Sequence, residues 1–127
     1  MNKVILRPER MRRFPARFGW LDHRLLHLPD EGLAKLGHSA LALYAILALV
    51  SDVQGMSYYS NKRLCWLLGC NESTLRSARA QLIKADLLAF SAPLYQLLAL
   101  RQPEADTAED YASAEEFEKT LKEAGLL

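Results

Sequence analysis

Between Asn71 and Ala85 the chain carries Ser73, Thr74, Arg76, Ser77, Arg79 and Lys84. On a helix these positions fall outside an apolar face made by Leu75, Ala78 and Leu82. Hydroxyls and guanidinium groups displayed together on one helix suit hydrogen bonds to phosphate oxygens and to the edges of nucleic-acid bases. Arg76 has the reach to pair with a guanine in bidentate fashion or to hold a phosphate. Asn71 stands where an N-cap is wanted, and the helix start behind it presents backbone N–H groups to an anion. Lys62 and Arg63 open the preceding helix, in position for the phosphate backbone. Glu72 works against this chemistry, since it repels phosphate, although it can accept from a cytosine amino group.

The elements that would hold these side chains are legible in the spacing. Ser39 caps a first helix through Leu41, Leu43, Tyr44, Leu47 and Val50, apolar nearly all round and hence central, with Gly55 suited to its stop. Met56 to Tyr59 reads as a short strand, in which alternation turns one of Tyr58 and Tyr59 inward. Ser60 caps a helix over Asn61–Leu68, and Asn71 caps the next over Glu72–Ala85. Between them Gly69 supplies the positive φ of a sharp turn, and Leu64 and Leu68 join Leu75, Ala78 and Leu82 on the core face. Asp86 at the exit tolerates the left-handed conformation at some cost. Leu87–Phe90 and Leu94–Leu100 are two strands joined by a turn at Ser91-Ala-Pro93, a hairpin. Upstream, residues 18–26 are expected to hold a short strand. Downstream, Ala108–Ala124 is a polar, acidic helix with Gly125 as its C-cap.

Charge is divided along the chain. The formal net charge of +1 combines about +7 over residues 1–102 with about −6 over residues 103–127. Seven cations lie in the first 24 positions, among them Arg10, Arg12, Arg13 and Arg17. A solvated arm and a solvated helix would account for this pattern; a polyanionic partner for the front of the molecule would as well. Three regions follow: a basic N-terminal arm (1–27), a central domain (28–102) and an acidic C-terminal helix (103–127).

The order helix, strand, helix, turn, helix, hairpin resembles the winged helix-turn-helix superfamily. The matching residues are Leu64, Cys65, Leu68, Gly69, Cys70 and Asn71, then Thr74 and Leu75, then Leu82, Leu87 and Leu88. Within that superfamily the chain looks most like N-terminal domains of plasmid and phage replication initiators and small helix-turn-helix proteins of mobile elements, on its long apolar first helix and the link Gln54-Gly-Met-Ser-Tyr-Tyr-Ser60. The resemblance implies an α+β, mostly helical fold with a two-stranded wing. It also implies that the helix from Glu72 lies in the major groove of double-stranded DNA, in a transcription regulator or a replication or mobile-element accessory factor, with a dimer reading paired half-sites. The chain departs from that pattern in its wing, which carries no Lys or Arg at Ser91-Ala-Pro93. The alternative is a winged helix kept as a protein-interaction module. Trp66 and Leu67 favour it, because they occupy slots of the motif that are usually polar; either the arm or the C-terminal helix covers them, or a partner does.

Other chemistries find little support. His23 and His27 share i, i+4 spacing, but no third ligand stands at a recognisable distance, so no metal is expected. Cys65 and Cys70 sit in small, apolar slots and read as buried thiols in a reducing compartment. No phosphate loop, nucleophile elbow or isolated acid pair is present, so neither enzymatic activity nor a cofactor is expected. The longest apolar run, Ala40–Val50, is about half a membrane span and no signal peptide is apparent, which makes the cytoplasm the expected location.

Overall fold

The computed structural model describes residues 3–28 and 32–101, together with Lys119, Lys122 and Glu123. Apart from those three, the acidic C-terminal helix expected from the sequence lies outside the described residues. Three helices build the central domain: α1 (His38–Val50), α2 (Asn61–Leu68) and α3 (Glu72–Lys84). Three short strands accompany them: β1 (Met56–Tyr58), β2 (Leu88–Ser91) and β3 (Leu94–Leu97). The sheet order is β1-β3-β2, antiparallel throughout, with Tyr95 of β3 opposite Ser57 on one side and Phe90 on the other. This is the winged helix-turn-helix arrangement, with β2 and β3 as the wing.

Each helix forms for a local reason. Ser60 Oγ accepts from the Arg63 amide at 3.1 Å and Asn71 Oδ1 from the Thr74 amide at 2.8 Å, so both helices of the motif begin on side-chain caps. Leu64, Leu75, Ala78 and Leu82 are buried as their spacing predicts. With Leu43 and Leu47 of α1, Leu87, Leu88 and Tyr95 they form one apolar core. Each fully buried leucine contributes about 1.5–3 kcal/mol of transfer free energy to the packing of the helices on the sheet.

The structure alters the sequence reading at several points. α1 begins one residue before Ser39, with Gly37 at the N-cap. The reason is tertiary: the Gly37 amide donates to Gln81 Oε1 of α3 at 2.7 Å, and a Cβ there would lie 3.0 Å from the same oxygen. The outer face of α1 is not covered, since Leu49 is exposed among the described residues. Residues 18–26 form no strand; a 3-10 turn spans His23–His27 instead. Asp22 caps it, accepting from the Arg24 amide at 2.9 Å, and the Arg24 guanidinium holds the Asp22 carboxyl below the usual carboxylate range. β3 ends at Leu97, three residues early. Cys65 and Cys70 are half-buried rather than buried.

Gly55 does not stop α1, which ends at Val50 with Ser51 as its C-cap. It closes the turn into β1, with Asp52 Oδ1 accepting from the Gln54 and Met56 amides at 2.8 and 3.0 Å. Gly69 does turn the chain between α2 and α3, at φ +65°, and its amide and that of Cys70 donate to the last carbonyls of α2. The two glycines differ in kind. A Cβ at Gly69 meets nothing within 4 Å, whereas one at Gly55, where φ is +82°, would lie 2.7 Å from the Leu97 carbonyl oxygen. Gly69→Ala is therefore expected to destabilise by about 1–2 kcal/mol, the left-handed penalty alone. Gly55→Ala should be clearly worse, because the β1–β3 edge must shift as well. Urea unfolding of both variants measures the order, and equal losses would contradict this account.

Candidate nucleic-acid interface

The turn at Gly69 sets the start of α3 next to the end of α2 and leaves the outer faces of both helices free. On α3, Ser73, Arg76, Ser77 and Lys84 are exposed, Thr74 is half-exposed and Leu75 and Ala78 point inward. On α2, Lys62 and Arg63 are exposed within the first turn of the capped start. The two adjacent helices of the turn thus both expose polar side chains: two cations on α2, and hydroxyls with the first arginine on α3. Lys62 and Lys84 have no carboxylate within ion-pair distance among the described residues.

Arg76 is not unpaired. Its Nη2 lies 2.9 Å from Glu72 Oε2, one turn back on the same exposed face. Such a surface pair contributes only about 0.3–0.5 kcal/mol, so a phosphate can compete for the arginine. Glu72 therefore does two things: it weakens the anion affinity of the helix start and holds the Arg76 side chain along the helix.

Arg79, which the spacing places on the outer face, is half-buried and engaged inward. Its Nη1 donates to Asn61 Oδ1 at 3.0 Å and to the Tyr95 hydroxyl at 2.8 Å, and its guanidinium lies 4.1 Å from the centre of the Phe90 ring. Asn61, Phe90 and Tyr95 are the residues that the sequence reading missed. The strand alternation that puts Phe90 and Tyr95 on one side of the hairpin was the available signal; a cation on α3 opposite them was not visible in sequence.

Trp66 is 71% exposed, and neither the described arm nor any other described segment covers it. Arg63 stacks on its ring, with the guanidinium carbon 4.7 Å from the centroid. Leu67 beside it is also exposed. α2 thus presents Lys62, Arg63, Trp66 and Leu67 along one solvent face.

The arm is exposed from residue 3 to residue 17. Along that stretch an ion pair joins Arg7 to Glu9 at 2.9 Å. Arg10, Arg12, Arg13 and Arg17 make no hydrogen bond or ion pair with α2 or α3, so the structure does not bring them against the helical cations. The root of the arm is fixed: an added Cβ at Gly19 would lie 2.5 Å from the Ala48 carbonyl oxygen, so the backbone rests directly on the end of α1.

His23 and His27 stand with ring centroids 5.9 Å apart, and no group of three His, Cys, Asp or Glu side chains gathers among the described residues. Partial burial raises the Cys65 thiol above its usual range and Cys70 adds to this, which makes it a poor nucleophile. A hollow of about 200 Å³ lies between Trp20, Tyr44, Val53 and Leu97. Its two carboxylates, Asp22 and Asp52, are already bonded to Arg24 and to backbone amides. No helix of the described residues is long and apolar enough to cross a membrane.

Residues 34–88 match a family described as helix-turn-helix domain. No curated protein matches the sequence. Among solved structures the chain is similar to a Rep–DNA complex, at 21% identity and a TM-score of 0.51, over 79% of this chain and 88% of that one. It is also similar to an MDR initiator, at 24% identity and a TM-score of 0.53, over 78% of this chain and 89% of that one. At such identities the likeness is one of fold.

The cap and the surface ion pair should separate in a stability measurement. Asn71→Ala is expected to cost about 1 kcal/mol, because it removes an acceptor from the α3 start. Glu72→Ala should cost no more than about 0.5 kcal/mol, being an exposed i, i+4 partner. Denaturant melts followed by tryptophan fluorescence give both numbers, and a larger loss at Glu72 than at Asn71 would reverse the assignment.

Proposed function

We propose that this protein binds double-stranded DNA, with α3 in the major groove. The observation that supports this reading best is the outer face of the helix-turn-helix. There Lys62, Arg63, Ser73, Arg76, Ser77 and Lys84 are exposed and Thr74 half-exposed, on two helices joined at a capped helix start. Ser73, Thr74, Arg76 and Ser77 face base edges, and Glu72 accepts from a cytosine amino group where the site offers one. Lys62, Arg63 and Lys84 hold phosphates, with the α3 N–H groups beside them. Arg10, Arg12, Arg13 and Arg17 supply the remaining phosphate contacts, and one of them enters the adjacent minor groove. A symmetric pair of half-sites read by a dimer is the arrangement this fold favours. The similarity to a Rep–DNA complex and to an initiator supports a role in replication initiation or its regulation over a general transcriptional one. The protein acts without catalysis and without a cofactor.

Phosphate contacts release counterions, so the affinity has a characteristic salt dependence. With about six phosphates neutralised, log K should fall against log salt with a slope near −5 on random duplex. A slope near zero would remove the DNA reading, and a steeper slope on RNA or single strands would redirect it. Glu72→Gln removes a like charge from the phosphate side and releases Arg76; a several-fold gain in affinity is expected from the same titrations.

Trp66 supports a second reading, in which the domain also docks a protein partner or a second copy. Burying Trp66 and Leu67 would contribute about 3–5 kcal/mol, enough to hold an association. Trp66→Ala should then abolish oligomerisation or partner capture in sedimentation while DNA retention persists; loss of DNA retention alone would assign Trp66 to the nucleic-acid face.

A further inference from the structure

The hairpin β2–β3 is a wing without a cation to hold the phosphate backbone. Its exposed positions are Ala89, Ser91, Ala92, Pro93 and Gln96, none of them a cation. Its inner side, by contrast, is tied to the recognition helix through one residue. Arg79 springs from the middle of α3, and its guanidinium ends between the first residue of α2 and the hairpin. One nitrogen serves Asn61 at 3.0 Å and Tyr95 at 2.8 Å, while the plane of the group lies over Phe90. Tyr95 is fully buried, so its hydroxyl needs a partner, and among the described residues Arg79 supplies it. Phe90 and Tyr95 face each other across the ladder with ring centroids 4.6 Å apart and planes tilted by 42°, so one guanidinium meets the first at its ring and the second at its hydroxyl.

We propose that the hairpin is a buttress rather than a groove reader, and that Arg79 is its positioning residue, holding the start of α2 and the wing in register with α3. The proposal rests on the DNA reading above and assigns Arg79 an indirect part in it. The argument is one of donor geometry. Swinging the guanidinium out of this seat would leave the Tyr95 hydroxyl buried without its donor and uncover the Phe90 ring, and both costs hold Arg79 where it is. A lysine cannot replace it, because an ammonium is a compact point charge that does not stack flat on Phe90 while serving two acceptors.

The test compares Arg79→Met, Arg79→Lys and Arg76→Met in duplex titrations across salt concentration. Arg79→Met and Arg79→Lys should both lower affinity by roughly tenfold and leave the log–log slope unchanged, since no phosphate contact is lost. Arg76→Met should flatten the slope by about one. Ser91→Lys adds a cation to the wing and should leave the slope where it was. A slope flattened by one in Arg79→Met with wild-type affinity in Arg79→Lys would make Arg79 a phosphate ligand and overturn the proposal; so would a steeper slope in Ser91→Lys. Amide hydrogen exchange on the free protein gives a readout independent of DNA: Tyr95→Phe and Arg79→Met should both speed exchange in β2 and β3. Unchanged exchange would refute the buttress even with DNA binding intact, whereas faster exchange without any DNA binding would refute the DNA reading alone.

Discussion

Everything on the outer face depends on α3 packing against α1 while its opposite side stays in water. α1 is the main partner of α3 in the fold. Two features set the approach. Ala78 is buried on the inner side of α3, where its small side chain lets the helix pack closely. Gln81, one turn later, reaches across to the Gly37 amide and fixes the start of α1 against the last turns of α3. The apolar side of α3 is narrow, three buried residues in thirteen, and that narrowness is what leaves so many hydroxyls and cations for display. A broader apolar face would have strengthened the core and removed the reading surface.

The sequence carried the helix-turn-helix almost in full because its signals are local. Caps, a left-handed glycine and a three–four apolar repeat each act within a few residues, so Ser60, Gly69, Asn71 and the Leu75, Ala78 and Leu82 face were all found where the spacing put them. Asp86 likewise sits at φ +62°, as its place at the helix exit implied. What stayed hidden was decided at a distance. The start of α1 depends on Gln81, 44 positions away, and the fate of Arg79 depends on Asn61 and Tyr95, 18 and 16 positions away. A helical wheel marks Arg79 as outward and basic; only the hairpin folding back against α3 turns it inward. Gly55 was misread for a similar reason: its constraint comes from the Leu97 carbonyl across the sheet rather than from the helix before it.

A charge count treats all cations alike, yet here they differ in availability. Arg79 satisfies the interior, Arg76 is shared with Glu72, and Arg63 leans on Trp66, while Asp86 at the α3 exit pairs with Arg101. Lys62, Lys84, Arg10, Arg12, Arg13 and Arg17 remain without carboxylate partners among the described residues. The molecule therefore distributes its work: the helices supply a shaped surface of modest charge, and the arm supplies most of the unpaired positive charge. That division explains how a neutral hairpin is compatible with a basic front half.

The seat of Gly19 on the end of α1 gives the arm a fixed pivot. Arg17, Arg13, Arg12 and Arg10 lie two to nine residues from that point. At about 3.3–3.6 Å per extended residue, the farthest of them reaches roughly 30 Å. One turn of a duplex is about 34 Å long. The arm is therefore a leash of about one helical turn, and contact by the helices makes contact by the arm intramolecular, at a high effective concentration. On the proposed DNA reading, the footprint of a single copy is set by leash length more than by the size of the folded domain, and the two contacts together act as a bivalent grip on one short stretch of duplex.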